Sequence, residues 1–144
     1  MRKKTKWCLF GILLIFCMTI VCFIYFVPQK YFQENDDFEI NQVIYYASDY
    51  TENDITNKLD SIQLRVLMGN IECTRYRISF APYLQKDVMY EIHGRYQQKP
   101  IHVILGQPYL NYIYTSSEKG GYKIKNADEI LEELERLRTT FQSS

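Results

Sequence analysis

His93 and His102 are the only histidines in the chain, and Glu91 stands two residues before the first of them. Imidazoles and a carboxylate suit two kinds of chemistry: proton exchange near neutral pH and coordination of a divalent metal. Either requires the three groups side by side. Val88–Tyr96 and Ile101–Leu105 are rich in β-branched and aromatic residues and read as a hairpin around Gln97-Gln98-Lys99-Pro100. A two- or four-residue loop centred on Gln97 and Gln98 sets Tyr96 opposite Lys99, Arg95 opposite Pro100, Gly94 opposite Ile101 and His93 opposite His102. Opposed residues share a face with Cβ atoms about 4.5–5.5 Å apart. Alternation puts Glu91 on that face too. Two imidazoles and a carboxylate would hold Zn²⁺ or a similar ion with one position open. Tyr90, Ile92, Ile101, Val103 and Leu105 take the other face, the expected core. The histidine face is then expected to be exposed, where such a pair needs no special purpose. An incidental pair and a metal or pH-sensing site are the two readings. A three- or five-residue loop would shift the register and part the two rings.

Cys73 is the one thiol beyond the apolar start, in Ile71-Glu-Cys-Thr-Arg75. A membrane-anchored Cys-His-Arg transpeptidase of the sortase kind would use such a thiol. Thr74-Arg75 after the cysteine is not that nucleophile's setting, and the domain is short for that barrel. Cys73 reads instead as a half-buried strand residue. No Gly-rich phosphate loop, His-Glu-x-x-His, Gly-x-Ser-x-Gly or Cys-x-x-Cys is present. The expectation is a protein that is not an enzyme and takes no cofactor, with no firm metal site. Tyr112 and Tyr114 share one strand face, with Tyr109, Asn111 and Ile113 on the other. Their rings either pack the sheet or form a platform for sugar or peptide.

Several elements must position these groups. Residues 40–46 read as a first strand. Thr51, with Asp54 at the capping-box spacing, opens a helix whose face is Ile55, Leu59, Ile62 and Val66. Gly69-Asn70 stops it. Residues 62–68 also alternate, so the helix either runs through them or ends near Ser61 before a strand. Thr74–Phe80 alternates, with Tyr76, Ile78 and Phe80 on one side. Tyr109–Tyr114 and Tyr122–Ile124 are further strands, set off by Gly106-Gln107-Pro108 and Lys119-Gly120-Gly121. Asn126 caps a last helix, with Glu129 three residues on. Ile130, Leu131, Leu134, Leu137 and Phe141 line its inner face. The fold class is α+β: one antiparallel sheet of five or six strands, largely a meander, packed by two helices.

The 144 residues carry 17 basic and 17 acidic side chains, which excludes a strongly basic nucleic-acid binder. The balance conceals an asymmetry. Arg2, Lys3, Lys4 and Lys6 precede Trp7–Val27, a run of 21 uncharged residues, and beyond residue 27 lie 13 basic and 17 acidic side chains. A helix of about 20 residues spans the roughly 30 Å of a bilayer's hydrocarbon. The run is longer than a signal peptide's apolar stretch and ends in Ile24-Tyr25-Phe26-Val27-Pro28, without a small-residue cleavage site. Val21 before Cys22 and Phe16 before Cys17 do not make a lipoprotein signal. The expected organisation is a cytoplasmic start (1–6), a transmembrane helix (7–27), an acidic spacer (28–39) and an extracytoplasmic domain (40–141). The basic flank puts the N-terminus in the cytoplasm of a single-pass plasma-membrane protein. A lone outer cysteine rules out a disulfide within that domain.

Through its C-terminal stretch, with Ile101–Leu105 and Gly106, Tyr112-x-Tyr114, Tyr122-x-Ile124 and the Leu-rich helix from Asn126, the region 40–141 resembles small extracytoplasmic domains of unknown function in low-GC Gram-positive bacteria. Those domains sit behind a lipoprotein signal or one membrane span. The resemblance implies a bacterial envelope location and no activity. With the lipid bilayer as one partner through residues 7–27, the expected function is a non-catalytic interaction domain. It would be a sensor, inhibitor, immunity factor or assembly subunit of another envelope protein. A direct binder of cell-wall glycan or peptide is the alternative, and a small surface enzyme is a remote one.

Overall fold

The computed structural model describes residues 2–33, 37–49, 51–79, 89–106, 111–115 and 118–142. Among them, a six-stranded antiparallel sheet carries helices on one face, so the α+β architecture is as expected. Its strands, in spatial order, are β3 (Glu52–Asp54), β2 (Phe38–Tyr46), β5 (Tyr90–Tyr96), β6 (Lys99–Leu105), β7 (Tyr112–Thr115) and β8 (Gly121–Lys123). A two-stranded ladder pairs β1 (Gln29–Lys30) with β4 (Glu72–Cys73). The helices are α1 (Arg2–Phe26), α2 (Ser61–Gly69) and α3 (Ala127–Gln142).

The β5–β6 hairpin has the register that its two-residue loop demands: Tyr96 pairs with Lys99, Gly94 with Ile101 and His93 with His102. Gln97 and Gln98 have φ of 49° and 64°. Positive φ at both positions is the turn geometry that matches strand twist. Asparagine and glycine usually supply it, and two glutamines adopt it here. The core face of the sheet combines Val43, Tyr90, Ile92, Ile101, Val103, Leu105 and Ile113. Leu64, Leu67 and Met68 of α2 and Ile130, Leu134 and Leu137 of α3 close over it. Asp128 and Glu129 occupy the first turn of α3, where the helix dipole favours acids. Arg136 and Arg138 pair with Glu133 and Glu135 one turn back.

Four expectations change. The helix foreseen from Thr51 starts at Ser61, because Asp60 is the cap: its carboxylate accepts the N–H groups of Ile62 and Gln63 at 2.8 and 3.0 Å. Residues 52–54 instead pair with β2, and Thr56–Lys58 form a 3-10 turn in which Asp54 accepts the N–H and hydroxyl of Thr56. Ile55 and Leu59 are buried from that connection, whereas Ile62 and Val66 are 74% and 62% exposed. So residues 62–68 belong to the helix. Secondly, residues 74–79 form no strand. The Thr74 hydroxyl donates to the Tyr76 carbonyl and turns the chain, leaving a single bridge between Ile78 and Gly121. Residue 80 lies outside the described residues, as do Tyr109 and Leu110 of the strand foreseen at 109–114. Thirdly, the Asn126 side chain accepts from Glu72 N–H and donates to the Asn70 carbonyl, tying α3 to β4 instead of capping its own helix.

The fourth change concerns the spacer. Residues 29–32 are part of the fold. Gln29 pairs with Cys73, Tyr31 N–H donates to the Ile71 carbonyl, and Phe32 is buried against Phe38 and Tyr96. Arg75 donates to the Val27 carbonyl, and Tyr25 packs on Tyr76. Only Val27 and Pro28 separate α1 from β1. Within α1, Trp7–Phe26 is long and apolar enough to be a membrane span or signal anchor, and none of it is buried in the protein.

Candidate functional site

The sheet face opposite the helices carries Glu91, His93, His102, Tyr112 and Tyr114. Its sidedness follows from β5, β6 and β7: Ile92, Val103 and Ile113 point into the core, so their chain neighbours point out. The register sets His93 against His102 on one side and Gln42 on the other, and His102 against Tyr114. The two imidazoles meet edge to face with centroids 4.6 Å apart. The Tyr114 ring stacks on His102 at 5.0 Å, only 12° from parallel. Glu91 Oε1 lies 3.2 Å from His93 Nε2. The other carboxylate oxygen of Glu91 accepts the Tyr46 hydroxyl at 3.0 Å. Each of Glu91, His93 and His102 offers a metal-ligating atom within 4.8 Å of the others. Among the described residues, these three form the group able to hold a metal.

The expectation that this face would be fully exposed is corrected. The side chains of His93 and Glu91 are 29% and 20% exposed, and His102 is half-buried. Tyr46 and Tyr114 stand on either side, one bonded to Glu91 and the other stacked on His102. Burial, then the neighbouring His93, lowers the His102 pKa, against the opposing pull of Glu91. Burial and the bond to Glu91 push the Tyr46 hydroxyl up to about 12. Burial raises Tyr114, with the Glu91 charge adding to it. His102 Nδ1 is shielded from solvent and has no hydrogen-bond partner among the described residues.

Tyr112 does share the face of Tyr114, but it is 7% exposed and offers little surface to a sugar. Cys73 is fully buried in β4, and burial alone pushes its thiol up to about 12, the reverse of what a nucleophilic cysteine needs. Tyr46 is the member of the cluster that local spacing could not supply. It lies 45 residues from Glu91 and reaches it only through the β2–β5 pairing. A second feature lies on the far side of β2. Phe38, Ile40, Asn41, Ile62, Leu64 and Val66 line an open groove of about 500 Å³ between that strand and α2. No family model, curated protein or solved structure matches the chain.

Proposed function

We propose that the protein is a single-pass membrane protein whose domain binds another membrane protein of the bacterial envelope without catalysing a reaction. The observation that supports this reading most is the junction. Two residues between α1 and β1 span at most about 7 Å, and the chain on either side is bonded to the domain. A domain so joined stays at the bilayer surface, within reach of neighbours in the same membrane. The basic residues before the apolar run favour a cytoplasmic N-terminus and an outer domain. The groove beside α2, with Ile62 and Val66 open to solvent, is the apolar surface a partner would cover. Wall binding has less support, because Tyr112 is closed off and Tyr114 is stacked on His102.

The test uses the full chain in its own membrane. Crosslinking and purification are expected to retain a membrane protein, and Ile62→Asp with Val66→Asp is expected to abolish that retention while the melting curve stays put. Retention by purified wall alone, with no membrane protein recovered, overturns the reading. So does a mature N-terminus near Pro28.

A further inference from the structure

We propose that Glu91, His93 and His102 form a binding site for a divalent transition metal of the Zn²⁺ class, with three protein ligands and a fourth position open to water or a ligand. This site does not depend on the partner reading above.

The donor set is the first argument. Two imidazoles and one carboxylate suit Zn²⁺ and its neighbours better than Ca²⁺ or Mg²⁺, which select oxygen donors. Spacing is the second. Ligands about 2.0–2.1 Å from a tetrahedral ion stand roughly 3.4 Å from one another. The donor atoms lie within 4.8 Å of one another, and the Glu91–His93 pair is already at 3.2 Å. Rotamer adjustments of an ångström or so complete the set, with the backbone held by the β5–β6 ladder.

The surroundings are the third argument. Ligating carboxylates and imidazoles are oriented by partners behind them. The Tyr46 hydroxyl holds the Glu91 oxygen that is turned away from His93. Tyr114 stacks flat on His102 and fixes the plane of its ring. A shielded ring nitrogen without a partner, as His102 Nδ1 is, ordinarily has an ion or a water to satisfy it. An incidental surface pair would have solvated nitrogens and mobile rings. In this pair His102 Nδ1 is shielded from solvent and the His102 ring is stacked on Tyr114.

The experiment uses the full chain in nanodiscs, with Cys8, Cys17 and Cys22 changed to serine so that anchor thiols cannot bind the probe. Calorimetric titration with Zn²⁺ is expected to show one equivalent bound. His93→Ala and His102→Ala should each weaken binding at least tenfold. Tyr46→Phe leaves all three ligands in place and should weaken it by about tenfold through their orientation. Co²⁺ in place of Zn²⁺ should give the absorption of a four-coordinate ion, lost in His102→Ala. Should His102→Ala alter the melting curve of the metal-free protein, His102→Gln takes its place and keeps the ring's volume partly filled. Equal weak binding by wild type and both histidine variants overturns the proposal, as does Co²⁺ absorption that the variants leave unchanged.

Discussion

The two faces of the β5–β6 hairpin share one backbone and differ in almost everything else. On the inner face, Tyr90, Ile92, Ile101, Val103 and Leu105 are at most 2% exposed and lie beneath α2 and α3. On the outer face, Glu91, His93, His102 and Ile104 are half-buried, with Tyr46 and Tyr114 of other strands against Glu91 and His102. Burying an aliphatic side chain fully contributes about 1.5–3 kcal/mol, and an exchanged hydrogen bond contributes nearer 1 kcal/mol. The inner face therefore holds the fold, and the outer face contributes less to it. The polar end of Tyr90 fits the same division. Its ring is in the core, while its hydroxyl reaches the protein's rim and donates to Glu135 at 2.6 Å.

The contrast breaks most sharply at Leu134, which is fully buried on the inner side of α3. Leu134→Asp leaves an unpaired charge in the core and should cost several kcal/mol, enough to abolish the cooperative thermal transition. A melting curve like that of wild type would mean that α3 is not docked. Gly94→Ala comes next. A methyl there runs into the Glu39 carbonyl of the neighbouring strand, with the Phe38 ring 3.5 Å away. The strand must shift, at about 1–3 kcal/mol, readable as a lower urea midpoint with an unchanged slope. Tyr46→Phe on the outer face is the mildest. It removes one hydroxyl from Glu91 and should cost about 1 kcal/mol or less. A loss as large as that of Gly94→Ala would put structural weight on the outer face and erase the distinction between the two.

Reading the residues alone went furthest where contacts are local. The hairpin register needed only strand alternation and a short loop, and the inner face of α3 at Ile130, Leu131, Leu134 and Leu137 needed only helical spacing, Phe141 lying outside the described side chains. What stayed hidden depends on partners distant in sequence. Thr51 and Asp60 are both plausible caps. The choice between them was made by β2, which recruits residues 52–54 as an edge strand. Gln29–Phe32 looked like a tether because nothing nearby shows that Cys73, Ile71 and Tyr96 await it. At the candidate site, the facing of Glu91, His93 and His102 was readable from the hairpin. Their half-burial was not, because it comes from Tyr46 and Tyr114 on the strands to either side.

β2 carries a register shift between Ile40 and Gln42 that bears on how the sheet is bent. Phe38 and Ile40 pair with Tyr96 and Gly94, whereas Gln42 and Val43 pair with His93 and Ile92, so Asn41 is the one residue left over. A bulge of this kind bends and twists its strand. Deleting Asn41 would leave Phe-Glu-Ile-Gln-Val-Ile-Tyr-Tyr, in which Phe38, Ile40, Val43 and Tyr45 alternate without interruption. Sidedness would survive the deletion, and only curvature would change. The crowding of the Glu39 carbonyl over Gly94 lies beside this bulge. Straightening the strand is therefore a way to make room for a side chain at position 94, and the two positions should tolerate change together better than either does alone.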